Sequence, residues 1–508
     1  MQNKKQNKRL FKRTMLGAAC ALALAGSAGS AMAANWLMLQ GTEPAGASAR
    51  AEVWGFIQAD YQADYSVANP TAFAPLNSPV NNYAAPKMLG PNLNSQAGFN
   101  VSRARIGVRG TGFPIDDHIN YFLLLEMGNN GTTRNSNSAN NNAFTSVKAT
   151  DASITLNYIK GARVRAGLFK YPGAEESLQA IQAHDYINFT EVTNGLLLER
   201  FPNQAFTPCP VAAAAAPVCN GATGNLGQYS TAQLQAGASL NGFKAPAGAF
   251  RDTGIQVFDA FNVGKDWELS YAGMIGNGSG IEFDNADGKY DKYAYVSAEK
   301  KYGGTGPKAE GLKYFAWTQR GSRLIDLGNG AGAGAGTVAA PSLTSVDRNR
   351  SGFGVKYLKQ PYRVTAEYIK ADGMIFVGTD KPNFYFTSFS DGSSATARGR
   401  GWYVEGGWYI PNSRVELDAR FDTVDRNEDR ANEFRFNKWT LGTQYHFNAK
   451  TRLTINYEIR DFKMLHPAAL SPVAAPAVAS AANSAIVNAA NNLNTVGNKL
   501  GVQLTASF

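Results

Sequence analysis

Arg103, Arg105 and Arg109 share one parity along a segment whose intervening positions include Ala104, Ile106 and Val108, and Arg163 and Arg165 repeat the arrangement around Val164, Ala166 and Leu168. A guanidinium stays charged and offers several donors in a planar fork, so rows of this kind suit an oxyanion path. They serve equally as counter-charges to carboxylates, and carboxylates of matching parity exist. Glu405, Glu416, Asp418 and Asp422 all alternate with apolar residues. The plainest stretch is Arg414-Val415-Glu416-Leu417-Asp418-Ala419-Arg420-Phe421-Asp422, where every even position is charged and every odd one apolar. Arg414 and Arg420 answer part of that acidity locally.

Covalent and metal chemistry find no support. The four histidines, His118, His184, His446 and His466, lie in no hydrolase motif, and no Gly-x-Ser-x-Gly stands beside a strand–helix pattern. His446, between Tyr445 and Phe447, reads as one face of a strand. No glycine loop precedes a helix to cradle phosphates, and no His/Cys spacing suits a metal, so neither cofactor nor metal is expected and the chain is read as non-enzymatic. Cys209 and Cys219 flank Pro-Val-Ala-Ala-Ala-Ala-Ala-Pro-Val, and in an exported chain they are expected to form a disulfide that pins a loop.

Export is indicated by residues 1–33. Lys4, Lys5, Lys8, Arg9, Lys12 and Arg13 precede an apolar run from Met15 to Ala25 and an Ala31-Met32-Ala33 cleavage signal. Removing these six from the 49 basic residues leaves 43 against 39 acidic ones, so the formal charge falls from +10 to +4. That mild excess argues for solute selection and against nucleic-acid binding. No later segment approaches the roughly 18 apolar residues of a membrane helix.

The elements that would position the charged rows are strands. Stretches of about ten residues with period-two alternation, as a membrane barrel requires, occur at 52–65, 98–110, 117–128, 150–160, 162–170, 253–262, 265–275, 291–302, 309–320, 350–359, 362–371, 401–410, 413–424, 437–448, 450–461 and 499–508. These sixteen predict an all-β, closed antiparallel transmembrane barrel over 52–508. Residues 34–51 form a short periplasmic extension in this reading. Connections alternate between short ones, such as Gln360-Pro361 and Asn448-Ala449, and long ones at 66–97, 129–149, 171–252, 321–349, 372–400 and 462–498. The former suit periplasmic turns and the latter external loops. Low-complexity tracts at 328–340 and 468–492 fall in those loops. The 22 Tyr and 7 Trp sit largely in the strands, as interfacial belts would require. Closure of the last strand against the first removes both sheet edges.

Parity then sorts the charges. Arg103, Arg105, Arg109, Arg163 and Arg165 face the lumen, as do Glu405, Glu416, Asp418 and Asp422. In a ring of sixteen the fifth and thirteenth strands stand opposite, which sets Arg163 and Arg165 across from Glu416 and Asp418. The connection 171–252 is long enough to fold inward, with Glu175, Glu176, Asp185 and Glu191 as its charged members near the narrowest point, or else as solvated loop carboxylates. Glu175 to Ala183 is expected to form a short helix.

The run Phe99-Asn100-Val101-Ser102-Arg103-Ala104-Arg105-Ile106-Gly107-Val108-Arg109-Gly110, then Ala152 through Tyr158, then Val164-Arg165-Ala166-Gly167-Leu168-Phe169-Lys170-Tyr171-Pro172 ahead of Glu175, resembles the phosphate-selective porin O and P family within the trimeric outer-membrane porins. The resemblance is specific over about residues 98–200. It implies a homotrimer of channels, each narrowed by a folded-in third external loop. The chain departs from the family in the Ala-rich stretch around Cys209 and carries no basic cluster there. The terminal Phe508 resembles the signal by which the barrel-assembly machinery recognises its clients. Together these features predict a bacterial outer-membrane pore for passive diffusion of small hydrophilic or anionic solutes, with weak anion preference and phosphate among the anions. Outer-membrane lipid and lipopolysaccharide are the expected surroundings. The rival reading is a loop-displaying adhesin or structural barrel with a closed lumen.

Overall fold

A computed structural model describes residues 35–38, 51–66, 97–111, 116–130, 132–133, 147–198, 248–281, 285, 287–303, 309–326, 343–375, 396–429, 433–466 and 496–508. Cys209 and Cys219 lie outside the described residues. Sixteen strands follow the chain: β1 (Glu52–Asp64), β2 (Ala97–Thr111), β3 (Ile119–Glu126), β4 (Lys148–Leu156), β5 (Arg163–Lys170), β6 (Arg251–Val263), β7 (Trp267–Gly276), β8 (Asp291–Gly303), β9 (Glu310–Asp326), β10 (Leu343–Lys359), β11 (Tyr362–Asp372), β12 (Arg398–Tyr409), β13 (Val415–Arg426), β14 (Phe434–Asn448), β15 (Thr451–Met464) and β16 (Lys499–Ser507). Each pairs antiparallel with its sequence neighbours, and β16 returns to β1, so the sheet is a closed barrel. Closure satisfies the main-chain polar groups that an open edge would leave bare.

The period-two pattern sets the register of faces. On β13, Glu416, Asp418, Arg420 and Asp422 are buried inside while Leu417 and Ala419 are exposed outside; β15 does the same with Ile455, Tyr457 and Ile459 outward. The outer surface thus carries apolar and aromatic side chains along most strands, including Val53, Ile255, Val296, Phe353, Trp402 and Trp439.

Strand limits follow the alternation to within a few residues except at one hairpin. β9 and β10 were expected to stop at 320 and to start at 350, yet each spans 17 residues, with Leu343–Arg348 paired to Gly321–Asp326. The extra length bears polar residues such as Ser322, Arg323 and Asp347, which read as loop because a strand standing beyond the bilayer needs no apolar face. The opposite side of the barrel is low: β3 and β5 have 8 residues and β4 has 9.

The seam between β1 and β16 is tight. Gly55 donates its N–H to the Phe508 carbonyl (3.3 Å) and accepts from the Phe508 N–H (3.0 Å). A Cβ at Gly55 would lie 2.4 Å from the Phe508 ring, so the glycine makes room for the terminal aromatic.

Candidate functional site: the barrel interior

The chain after β5 turns into the barrel instead of outward. It forms α1 (Glu175–Leu178), a 3-10 turn (Ile181–Ala183) and α2 (Glu191–Leu196). The single short helix expected over 175–183 is therefore a four-residue helix followed by a separate tight turn. Thr190 caps α2, its Oγ1 accepting from Thr193 N–H at 3.1 Å.

This inserted segment is held by the wall on nearly every side. Asp422 of β13 accepts the Glu191 N–H at 2.6 Å, and Glu367 of β11 accepts the Glu175 N–H at 3.2 Å, so wall carboxylates satisfy the open N-termini of both helices. At the other end of α2, Arg350 Nε donates to the Leu196 carbonyl (2.6 Å) and Arg348 Nη2 to that of Leu197 (3.2 Å). Arg420 donates to Asn188 O (2.9 Å), Lys438 to Phe189 O (3.0 Å), and Arg452 to Gln182 O (3.0 Å) and His184 O. Lys170 reaches back to Gln179 O at 2.8 Å.

The four carboxylates of the segment are all docked. Glu175 pairs with Lys313 and, at 3.1 Å, with Lys356. Glu176 binds Thr190 Oγ1 (2.6 Å) and Arg420 (3.4 Å). Asp185 meets Arg363 at 3.1 Å, and Glu191 meets Lys438 at 3.0 Å. They act here as latches against the wall instead of as solvated loop groups. Burial pushes the Glu175 carboxyl up, but Lys313 and Lys356 outweigh it and hold it below its ordinary range. Burial, with Lys170 and Arg103 adding to it, keeps the His184 imidazole neutral, well below its usual pKa.

Packing needs space as well as charge. Gly399 and Gly401 alternate on the inner face of β12. A Cβ on Gly401 would meet Thr423 O at 2.6 Å and Val192 Cγ2 at 3.0 Å, and one on Gly399 would meet Leu196 Cδ2 at 2.9 Å. The two glycines are the berth of α2. Burying Val192 and Leu196 there stabilises the docked segment by about 1.5–3 kcal/mol each.

The wall cations and acids fall into two groups. On the β1–β6 side, Arg103 donates to Gln58 (3.0 Å), and Arg105 pairs with Glu126 (2.6 Å). Arg251 pairs with Asp151 (2.9 Å) and Arg163 with Asp259 (3.4 Å). Arg165 is almost fully buried, its guanidinium 4.6 Å from the Phe258 ring centroid. Arg109 lies toward the end of the barrel that carries the short turns, paired with Glu52 at 3.1 Å. On the β11–β15 side, Arg363 bridges Glu416 (2.6 Å), Asp418 and Asp185. Glu405 lies on the same inner face, and His446 Nε2 stands 3.3 Å from Glu416. Sequence parity put these arginines and acids inside and let Arg414 and Arg420 answer part of the acidity of β13, and Arg420 does stand 3.9 Å from Asp422 on that strand. Arg414 instead donates to Phe447 O at the exposed turn, Arg363 is the main counter-charge of Glu416 and Asp418, and Arg420 serves the inserted segment as well as Asp422.

Arg363, Lys313, Lys356, Lys438, Arg348, Arg350 and Glu367 escaped the sequence reading. Each obeys the same alternation, as Arg363 beside Val364 and Lys438 beside Trp439 show. They stand singly or in strands taken as loop, so no row advertised them.

A second stretch also enters the barrel. Residues 35–38 do not stay outside as an extension. Asn35 Nδ2 donates to Glu268 Oε1 (3.0 Å) and Ser270 Oγ (2.6 Å) on the inner face of β7, and Lys356 lies 5.9 Å from the Trp36 ring centroid. Trp36, Leu37 and Met38 are buried in one cluster with Phe258, Met274, Tyr295, Phe315 and Trp317 of β6–β9. These rings and thioether supply an apolar inner wall, and the quartet covers it toward the end that carries the short β6–β7 turn.

No protein-family model matches the chain, and no curated protein does. Among solved structures it is similar to the anion-selective porin from Comamonas acidovorans (12% identity, 90% of this chain and 99% of that one, TM-score 0.44). It is similar also to the outer membrane channel DcaP of Acinetobacter baumannii (9%, 90% and 97%, 0.45) and to Salmonella typhi OmpF (11%, 90% and 97%, 0.44). These are likenesses of barrel architecture.

Proposed function

We propose that the protein is a bacterial outer-membrane porin through which small hydrophilic solutes diffuse passively, with a weak preference for anions, phosphate among them. The observation that carries this reading is a closed barrel, apolar outside, whose interior holds two facing charged walls with a loop strapped between them. β5 and β13 stand eight places apart in the ring. On the first side Arg103, Arg105, Arg163, Arg165, Lys170 and Arg251 stand among Asp60, Asp64, Glu126, Asp151, Asp252 and Asp259; on the second Glu405, Glu416, Asp418, Asp422 and Glu458 stand among Arg363, Arg420, Lys438, Arg452 and Arg460. Opposed charge orders water across the bore and disfavours apolar solutes. The anion preference rests on the mild basic excess of the sequence beyond residue 33, 43 basic against 39 acidic residues.

Residues 1–33 are taken as the export signal, and a homotrimer is the assembly that fits best. The low side of the barrel, β3–β5, is too short to present a full-height lipid face alone, whereas a neighbouring copy would cover it.

Reversal potential across a salt gradient in a planar bilayer tests the reading, followed by a phosphate titration. Modest anion preference is expected, reduced toward neutrality by Arg103→Gln with Arg105→Gln. Strong cation preference in the unaltered protein contradicts it. A closed barrel that works through its displayed loops is the second reading, favoured by the two segments inserted in the bore. Well-folded protein that stays electrically silent would establish it.

A further inference from the structure

On the outer face of the barrel, toward the end that carries the long connections, basic residues line up across adjacent strands. Lys292 of β8 is directly opposite Arg320 of β9. Arg320 is opposite Asn349 of β10, Ser351 of β10 is opposite Lys370 of β11, and Lys370 is opposite Arg400 of β12. All four cations are exposed, and their neighbours of opposite parity, Tyr293, Gln319 and Ile369, are buried inside. Four inter-strand steps of about 4.8 Å make the row roughly 19 Å wide.

Its level is marked independently. Two residues nearer the periplasmic end runs an outward aromatic row: Phe353 opposite Tyr368, and Tyr368 opposite Trp402. Phe353 and Tyr368 have ring centroids 5.6 Å apart, and the belt continues through Trp402–Phe421 at 5.3 Å and Phe421–Trp439 at 4.9 Å. Such rings seat at the boundary between hydrocarbon and headgroups. Lys370 and Arg400 therefore stand about 7 Å farther along the strands, and Arg320 and Lys292, in register with Asn349, about 14 Å farther, so the row climbs through the headgroup layer.

The row is also unevenly compensated. At the same level farther round, Arg435 is bridged to Asp425 at 2.6 Å and Lys463 to Asp461 at 3.3 Å, and Arg400 itself pairs with Glu428 at 2.6 Å. Lys292, Arg320 and Lys370 form no ion pair among the described residues. Like charges placed directly opposite, as Lys292 and Arg320 are, repel each other unless an anion lies between them.

We propose that Lys292, Arg320 and Lys370, with Asn349 and Ser351 between them and Arg400 at the margin, form a docking surface for a phosphorylated glycolipid of the outer leaflet, lipopolysaccharide. The Arg320 fork and the two ammonium groups would take its phosphates, and the aromatic row beneath would meet its acyl chains. The proposal rests on the outer-membrane reading but not on an open bore.

The test titrates the purified full-length protein in detergent with lipopolysaccharide, with the same glycolipid after enzymatic removal of its phosphates, and with phosphatidylglycerol, reading bound lipid by native mass spectrometry. Binding should weaken at least tenfold on dephosphorylation, and by as much in K292Q/R320Q/K370Q, while K292R/R320K/K370R retains it and phosphatidylglycerol does not compete. Equal binding of the dephosphorylated glycolipid, which needs no variant, overturns the proposal. So does equal competition by phosphatidylglycerol, or a change of oligomeric state in the glutamine variant, which would make this face a contact between copies. Single-channel conductance reads the pore separately: a silent barrel that still selects the phosphorylated glycolipid refutes the pore and leaves this surface standing.

Discussion

Both inserted stretches lie inside the same barrel, but the two walls hold them by different physics. Against β10–β15 the segment 175–198 is fixed largely by directional bonds: Asp422 and Glu367 at helix starts, Arg350 at a helix end, Arg363, Arg420 and Lys438 on its carboxylates and carbonyls. Against β6–β9 residues 35–38 rest on rings, with one asparagine side chain for orientation. Losing a partner from the first arrangement strands a buried charge. Losing the second uncovers apolar surface and leaves Glu268 still bonded to Lys301 at 2.6 Å. The charged latch should therefore be costly to break and precise in geometry, and the apolar cover separable.

The most damaging way to test that difference is Arg363→Met. It leaves Glu416, Asp418 and Asp185 without their shared cation, and a loss of about 3–5 kcal/mol is expected in urea unfolding of the micelle-bound protein. Deleting residues 35–38 should cost less, about 3 kcal/mol or under, because the ordering entropy of about 1–2 kcal/mol per residue that deletion recovers offsets much of the burial lost with Trp36, Leu37 and Met38. Single-channel conductance should rise in that variant, and an unchanged conductance would mean that the quartet does not border the open path. Gly401→Ala sets a methyl group against Thr423 O and Val192. It should lift α2 at a cost of about 1–3 kcal/mol, seen as added current noise from a loosened loop.

The smallest effect expected is that of pH. The His184 pKa is depressed in the folded segment, so below about pH 6.5 the released segment takes up a proton that the docked one refuses. Docking is then fully stable above that pH and weakens as pH falls, by at most about 1.4 kcal/mol per pH unit. Glu175, also depressed, adds loss in the same direction through the carboxylate range. Acid should therefore increase gating noise, and His184→Gln should remove the part that sets in below pH 6.5.

The strands were legible because lipid and water on opposite faces impose a strict alternation, as in 414–422. Parity likewise put Arg103, Arg165 and Glu416 inside. Their partners were not legible, because a one-sided pattern does not state cross-strand register. Nothing local to Glu416 points to Arg363, 53 positions away. The inserted segment was expected from loop length, but its seat depends on Gly401 and Asp422, and the Glu191–Asp422 bond joins residues 231 apart. Asn35-Trp36-Leu37-Met38 gave no signal at all, since a short apolar run shows its place only once a complementary wall exists.

The pairing of Gly55 with Phe508 continues the β1–β16 ladder that closes the ring. Every other neighbouring pair joins strands consecutive in the sequence, whereas this one joins the first to the sixteenth and carries the greatest loop-closure entropy. A product truncated before β16 would keep two bare edges and could not be finished. The seam between β1 and β16 is thus the one joint of the cylinder that no local hairpin can supply.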